Sequence, residues 1–157
     1  MTALQEVLIV SGARTAVGDF GGTLKDVSPS DLATTVAREA IRRSGLASEQ
    51  VGHAVFGNII HTDPRDMYLS RVAALNAGMP PGSAALTLNR LCGSGLQAIV
   101  SAAQMIMLGD VDIALAGGAE NMSRAPYWSQ TTRWGKRMGN AELVDAMSAA
   151  LHDPFHG

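Results

Sequence analysis

The sequence predicts an α/β fold: a parallel sheet in βαβαβ order with helices packed on it and one helix buried at its centre. Three observations point there. Short apolar runs alternate with longer stretches of helical period, the pattern of strand–helix–strand crossovers. One helical stretch, residues 92–108, carries no charge on any face, and such a helix has to be covered all round. Finally, hydrophobic residues make up 46% of the 157 but aromatics only 4%, with 17 glycines, so the core relies on close backbone approach rather than on large rings. A chain of this length struggles to supply every layer such a helix needs, which implies further polypeptide from a partner or a second half.

The elements follow in order. Residues 6–11 form an apolar run ending at Gly12 and are predicted as a buried strand, followed by a glycine-rich loop over 12–22. Ser28 caps a helix with Pro29 in its first position; Leu32, Val36 and Ala40, beside Ala33, Ala37 and Ile41, make its apolar face, and Gly45 stops it. Residues 55–60 are the second strand. Asp66 caps a helix running through Leu69, Val72, Ala73 and Asn76 to Gly78, and Pro80-Pro81-Gly82 breaks the chain before a third strand over 84–88. The uncharged helix has Leu96, Ile99, Val100, Ala103, Ile106 and Met107 at helical spacing, while Ala98 and Ala102 keep its opposite side small. The fourth strand spans 111–116 and runs into Gly117-Gly118-Ala119-Glu120. After Glu120 the character changes: residues 121–140 hold both tryptophans, Tyr127 and a basic group of Arg133, Lys136 and Arg137, an excursion from the sheet, and 141–151 is predicted as one more helix.

Composition excludes several function classes. A net charge of −2 offers nothing to a nucleic acid. The single cysteine rules out a disulfide framework and a cysteine-cluster zinc site, and fits a reducing compartment. The start, Met1-Thr2-Ala3-Leu4-Gln5-Glu6, has no leader character, so a cytoplasmic location is expected. The uncharged stretch over 91–109 contains Ser94, Gln97, Ser101, Gln104 and two internal glycines, and reads as a buried helix, not a membrane span. The glycines of 12–22 do not form the dinucleotide fingerprint and no phosphate-loop motif occurs, so NAD and ATP have no support.

The chemistry concentrates in Asn89-Arg90-Leu91-Cys92-Gly93-Ser94-Gly95-Leu96-Gln97-Ala98, where a strand ends, a tight turn follows and the lone cysteine opens a helix. A helix N-terminus favours a thiolate and offers N–H donors to a developing oxyanion. Glycines 93 and 95 let a substrate approach the sulfur, as acyl transfer to a thiol requires. Taken alone, the residue reads first as a buried structural cysteine and second as a nucleophile. Other candidates are weaker. His152 and His156 are four apart, but Pro154 breaks the helix that would align them on a metal, so they read as surface residues. His53 and His61 flank a strand and read as satisfied structural residues. Arg133, Lys136 and Arg137 read as a solvated face, with a ligand's phosphate or an acidic neighbour as the other possibilities. Trp128 and Trp134 suggest a subunit contact.

These motifs resemble those of the thiolases, the acetyl-CoA acetyltransferases and β-ketothiolases. The segment 89–98 is similar to the family's acyl-enzyme signature. Arg14-Thr15-Ala16-Val17-Gly18-Asp19-Phe20-Gly21-Gly22 resembles its N-terminal motif. Gly117-Gly118-Ala119-Glu120-Asn121-Met122-Ser123-Arg124-Ala125-Pro126-Tyr127 resembles its exit into a loop domain. The stretch His61-Thr62-Asp63-Pro64-Arg65-Asp66-Met67 is closest in character to the β-ketothiolases of polyester-forming bacteria. The resemblance implies a thiolase-like layered α/β sandwich, with 1–120 as the N-terminal sheet domain and 121–157 as the start of the loop domain.

It also implies a mechanism in which Cys92 is acylated by an acyl-CoA, its backbone N–H serves the oxyanion hole, and a deprotonated acetyl-CoA then attacks the thioester. The implied partners are acetyl-CoA and acyl-CoA as substrates, with no metal and no separate cofactor. No nucleic acid or membrane is expected, and the full-length protein is expected to be a homo-oligomer, dimer or tetramer, with 128–134 in a tetramer-forming loop. The family's second half carries Asn-Glu-Ala, Gly-His-Pro and Cys-x-Gly-Gly-Gly motifs, and none occurs in this sequence. The chain is therefore expected to be a piece of a longer protein and not to complete the reaction by itself; the resemblance gives His156 no catalytic role. A β-ketoacyl synthase, which shares the fold and the cysteine, and a non-catalytic acyl-CoA-binding half-domain are the competing readings.

Overall fold

The computed structural model describes residues 5–156. Three strands pair in parallel: β1 (His53–Gly57), β2 (Ala84–Leu88) and β3 (Ala114–Gly118), in the spatial order β2-β1-β3. Gly57 lies opposite both Leu88 and Gly118, so the three strands end level. The strand predicted at 84–88 is found there. Those predicted at 55–60 and 111–116 are shifted to 53–57 and 114–118. The reason for the first shift is local: the N–H groups of Ile59 and Ile60 are taken by the Glu120 carboxylate instead of a ladder.

Alternation along β1 divides the core. Ala54 and Phe56 face α1 (Pro29–Ser44) and α2 (Leu69–Asn76), where they meet Ala33, Ala37, Leu69 and Ala73, all buried. Val55 faces the other way, onto α3 (Ser94–Leu108), where it meets Ala98 and Ala102. The predicted ends of α1 are found: the Ser28 side chain accepts from the Asp31 N–H, Pro29 is its first residue, and Gly45 closes it at φ 72°. The second helix differs from its prediction. Asp63, not Asp66, is the cap, of a 3-10 turn over Pro64–Tyr68 that leads into α2. Asp66 is instead fully buried, accepting from Ser30 Oγ, Thr62 N, Thr62 Oγ1 and Asp63 N. A carboxylate so surrounded replaces its hydration shell with protein donors.

Two expectations are corrected by one feature, a cavity of about 1170 Å³ that wraps the outer edge of β3. Residues 6–11, predicted as a buried strand, form no ladder; Leu8, Ile9 and Val10 are 70%, 82% and 65% exposed. Strand neighbours must lie about 4.8 Å apart to pair, and here the cavity separates this segment from β3. The segment is held from α1 instead: Ser11 Oγ donates to Ala40 O, and Arg43 donates to Gly12 O. Leu32, Val36 and Ala40 line the same cavity, leaving Ala33, Ala37 and Ile41 as the buried face of α1.

The third correction concerns α3. It was expected to be covered on every face, yet Leu96 is 69% and Leu108 79% exposed. The small side, Ser94-Ala98-Ala102, seats on the sheet, and the large apolar side faces away. By length and composition the stretch Leu91–Leu108 could cross a membrane, but its small side is occupied by the sheet. Beyond Glu120, β4 (Tyr127–Trp128) pairs antiparallel with β5 (Val144–Asp145), and α4 (Ala146–Ala150) follows. The helix predicted over 141–151 is shortened because 144–145 pair as a strand and Asp145 caps what remains by accepting from Met147 N.

Candidate active site

Cys92 lies at the end of the sheet where all three strands stop. It is free and exposed, which removes the reading of a buried structural cysteine. The helix was expected to begin at Cys92; it begins at Ser94, with Gly93 as N-cap, so the cysteine belongs to the turn that delivers the chain into α3. No side chain caps the helix at Gly93. The partial positive charge of the helix N-terminus is therefore directed at the turn.

The turn is tightly specified. Leu91 adopts φ 49°, the one positive φ at a non-glycine position among the described residues. Such a conformation costs roughly 1–2 kcal/mol and persists only where neighbours impose it. Here Asn89 Oδ1 accepts from Leu91 N at 2.8 Å, and Gly93 N donates to Arg90 O at 3.2 Å. Ser94 acts twice: its Oγ accepts from Arg90 N at 2.8 Å and donates to Leu91 O at 2.6 Å. The Arg90 guanidinium bonds Gln97 Oε1 one turn up the helix. Cys92 Sγ has no hydrogen bond to a histidine or carboxylate among the described residues.

The turn rests on two glycines. A Cβ on Gly57 would lie 2.6 Å from Ser94 Cβ, and one on Gly118 would lie 3.5 Å from Gly95 Cα and 3.2 Å from Gly57 O. The first helical turn therefore contacts the backbone of β1 and β3 with no side chain between. Beneath it, Asn58 and Glu120 join the strand ends. Asn58 N donates to Leu88 O, and its Nδ2 donates to Ala119 O and Glu120 Oε1, while Glu120 also accepts from Ile59 N and Ile60 N. Burial pushes the Glu120 carboxyl above its ordinary 4.5, with the charge of Asp66 adding to the rise and the two N–H groups and His61 opposing it. Sequence reasoning gave Asn58, Ser94 and Glu120 no role of their own. A polar residue closing each of two apolar strands was the available signal.

The weaker candidates scatter. Arg133, Lys136 and Arg137 are exposed and far along the chain from the turn, in the 121–157 region. His156 pairs with Asp153 at 2.8 Å. His61 is exposed; His53, expected to be satisfied, has a buried Nε2 with no hydrogen-bond partner among the described residues. Trp128 and Trp134 are 48% and 87% exposed.

Comparison with known proteins agrees with this fold. The thiolase N-terminal domain family matches residues 7–157. The chain is 64% identical over 152 residues to the beta-ketothiolase BktB of Cupriavidus necator, covering 97% of this chain and 39% of that protein. It is 44% identical over 156 residues to the acetyl-CoA acetyltransferase of Syntrophomonas wolfei, covering 98% and 39%. The crystal structure of the Bacillus anthracis acetyl-CoA acetyltransferase superposes with a TM-score of 0.93 at 39% identity, over 99% of this chain and 39% of that one. The chain thus spans about two-fifths of the length of these relatives. With the sheet, the cysteine turn and the family match covering the same residues, this chain belongs to the thiolase family.

Proposed function

We propose that the chain is the nucleophile-bearing part of a thiolase that transfers acyl groups between CoA thioesters. The observation that carries this reading is Cys92: an exposed thiol in a rigid turn, set against the uncapped N-terminus of a 15-residue helix. The Cys92 thiolate attacks the carbonyl carbon of an acyl-CoA, and the negative charge passes to the carbonyl oxygen. The backbone N–H of Cys92 supplies one donor to this oxyanion. Collapse re-forms the carbonyl, expels CoA as its thiolate and leaves the acyl group on Sγ. An acetyl-CoA that has lost an α-proton then attacks the acyl-cysteine through carbon, forming a 3-ketoacyl-CoA and returning the Cys92 thiolate. Thiolysis is the same path reversed.

The proton of the Cys92 thiol and the α-proton of acetyl-CoA each have to pass to a base, and Cys92 has none bonded to it among the described residues. We assign the base to the portion of the relatives' length that this chain does not span, so the chain alone is proposed to be inactive in the complete cycle; losing a general base commonly costs 10²–10⁴-fold in rate, roughly. The reading includes residues 1–120 as the sheet domain and 121–157 as the beginning of a loop domain. It involves no metal and no cofactor beyond the CoA thioester itself, and it places the full-length protein in the cytoplasm as a homo-oligomer. Trp128 and Trp134 are the proposed subunit contacts, supported by their exposure.

The test is the intact mass of the protein after brief exposure to acetyl-CoA, beside Cys92→Ala. A gain of one acetyl group that vanishes in the variant supports the reading. Acetyl-CoA binding that survives in Cys92→Ala, with no covalent adduct in the wild type even when the remaining portion of a thiolase is supplied in trans, would replace it with a non-catalytic binding role. The same measurement with the remaining portion of a thiolase supplied in trans tests where the base resides.

A further inference from the structure

The nucleophile turn does not stand alone. Its entry, Leu88, is bonded through its carbonyl to Asn58 N at 3.1 Å, and the helix it enters lies on Gly57 and Gly118. Both glycines adjoin one assembly. Asn58, 2% exposed, orients its amide by donating to Ala119 O at 3.0 Å and Glu120 Oε1 at 3.1 Å, and Ala119 N returns a bond to Gly57 O at 3.1 Å. Glu120 completes the ring by accepting from Ile59 N at 2.8 Å and Ile60 N at 3.1 Å. The ends of β1 and β3 are therefore joined by one carboxamide and one carboxylate, and β2 is tied to them through the backbone N–H of Asn58. Asn58 Oδ1 is buried without a partner among the described residues, so the amide is oriented entirely by its N–H groups. An unpaired buried acceptor is a cost to stability, and retaining it fits a group whose placement matters more than its saturation.

We propose that Asn58 and Glu120 are positioning residues for Cys92: together they fix the floor of strand ends on which the nucleophile turn sits, and so aim the helix N-terminus at the sulfur. Neither touches the thiol. Their effect passes through the Asn58 backbone, whose N–H holds Leu88 O at the entry to the turn, and through Gly57 and Gly118 into the first turn of α3. The proposal rests on the acyl-transfer reading for its purpose, but not for its test.

The test compares how fast Cys92 in the 157-residue chain is alkylated by iodoacetate and by iodoacetamide. Both reagents meet the same thiolate, so the fraction ionised cancels in the ratio of rates. What remains is the preference for an anion at the sulfur, which the helix N-terminus raises by about 2–5-fold. Asn58→Leu changes no charge and removes both amide donors; the ratio is expected to fall about threefold toward that of the urea-unfolded chain. Glu120→Gln removes a negative charge, which alone would raise the ratio, so a fall there points to lost positioning. Leu69→Ala, which opens a cavity in the core on the opposite face of the sheet, is expected to leave the ratio unchanged despite a larger loss of stability.

The proposal is overturned if the folded Asn58 and Glu120 variants keep the wild-type ratio, or if Leu69→Ala moves it equally. A fold lost in both variants also overturns it, since the pair would then be structural. In parallel, each protein is exposed to acetyl-CoA. A wild type that takes no acetyl group even with the remaining portion of a thiolase supplied in trans refutes the acyl-transfer reading, while the alkylation ratio still decides the positioning.

Discussion

Replacing Gly57 with Ala tests whether the nucleophile turn depends on direct backbone contact with the sheet. The added Cβ would sit 2.6 Å from Ser94 Cβ, 2.8 Å from Ser94 C and 3.0 Å from Ser94 O. Carbon atoms pack at about 3.5–4.0 Å, so the helix start has to retreat by roughly 1 Å. The strand cannot yield in its place, because β1 is the central strand, paired on both edges. Overpacking of this kind costs about 1–3 kcal/mol, and the smaller entropy of an unfolded alanine returns about 0.4–1 kcal/mol. A net loss of about 1.3 kcal/mol lowers the melting temperature by about 3–5 °C for a chain of this size. Thermal and urea denaturation followed by circular dichroism measure it, with Gly12→Ala as control, since a Cβ there meets nothing within 4 Å. The alkylation rate of Cys92 should change in Gly57→Ala alone. A melting point within about 1 °C of wild type, with Cys92 reactivity unaltered, would refute the argument that the turn is seated on bare backbone.

Three other outcomes follow from the same packing. Asp66→Ala strands the donors of Ser30, Thr62 and Asp63, and should cost about 3 kcal/mol in urea titration. On α3, Ala98→Leu should cost about 1–3 kcal/mol because that side lies against Val55, whereas Leu96→Ser should stay within about 0.5 kcal/mol. Equal costs would mean the helix is seated on the other face. The pH dependence carries a sign. Burial raises the Glu120 carboxyl above 4.5, so the folded state holds this proton more tightly than the unfolded one. Its contribution to stability is complete below 4.5 and is lost as pH rises through the raised folded value. The difference in unfolding free energy between wild type and Glu120→Gln should therefore grow as pH falls toward 4.5, and a flat difference between pH 4 and 8, roughly, contradicts it.

Much of the fold was legible because its signals are local. Ser28-Pro29 and Gly45 bracket α1 through capping that depends on a few adjacent residues, and 84–88 pairs as predicted because an apolar run between proline and a polar turn has few alternatives. The misreadings concern what lies across space. Residues 6–11 have the composition of a buried strand, yet a strand also needs a neighbour at pairing distance, and a cavity lies beside β3 instead. The uncharged face count of α3 announced a need for cover without saying which side meets the sheet. Asp66 looked like a cap because acidic residues favour helix starts, but it is Asp63 that meets the first free N–H while Asp66 turns inward to Ser30 and Thr62.

The candidate site divides in the same way. Cys92 could be found in the sequence because a lone cysteine among glycines at a strand–helix junction has a local chemical meaning. Its supports could not, because Asn58 and Glu120 stand 62 positions apart and matter only once parallel pairing has brought their strand ends level. That arrangement also explains the side of α3 that faces the sheet. A helix whose N-terminus is to be held at a fixed point needs short contacts to something rigid, and Ser94, Ala98 and Ala102 allow the axis closer to β1 and β3 than leucine or isoleucine could. The large residues are thereby turned away from the sheet, which leaves Leu96 and Leu108 uncovered among the described residues. Exposure of the apolar face and precision at the cysteine are thus two consequences of one choice of small residues.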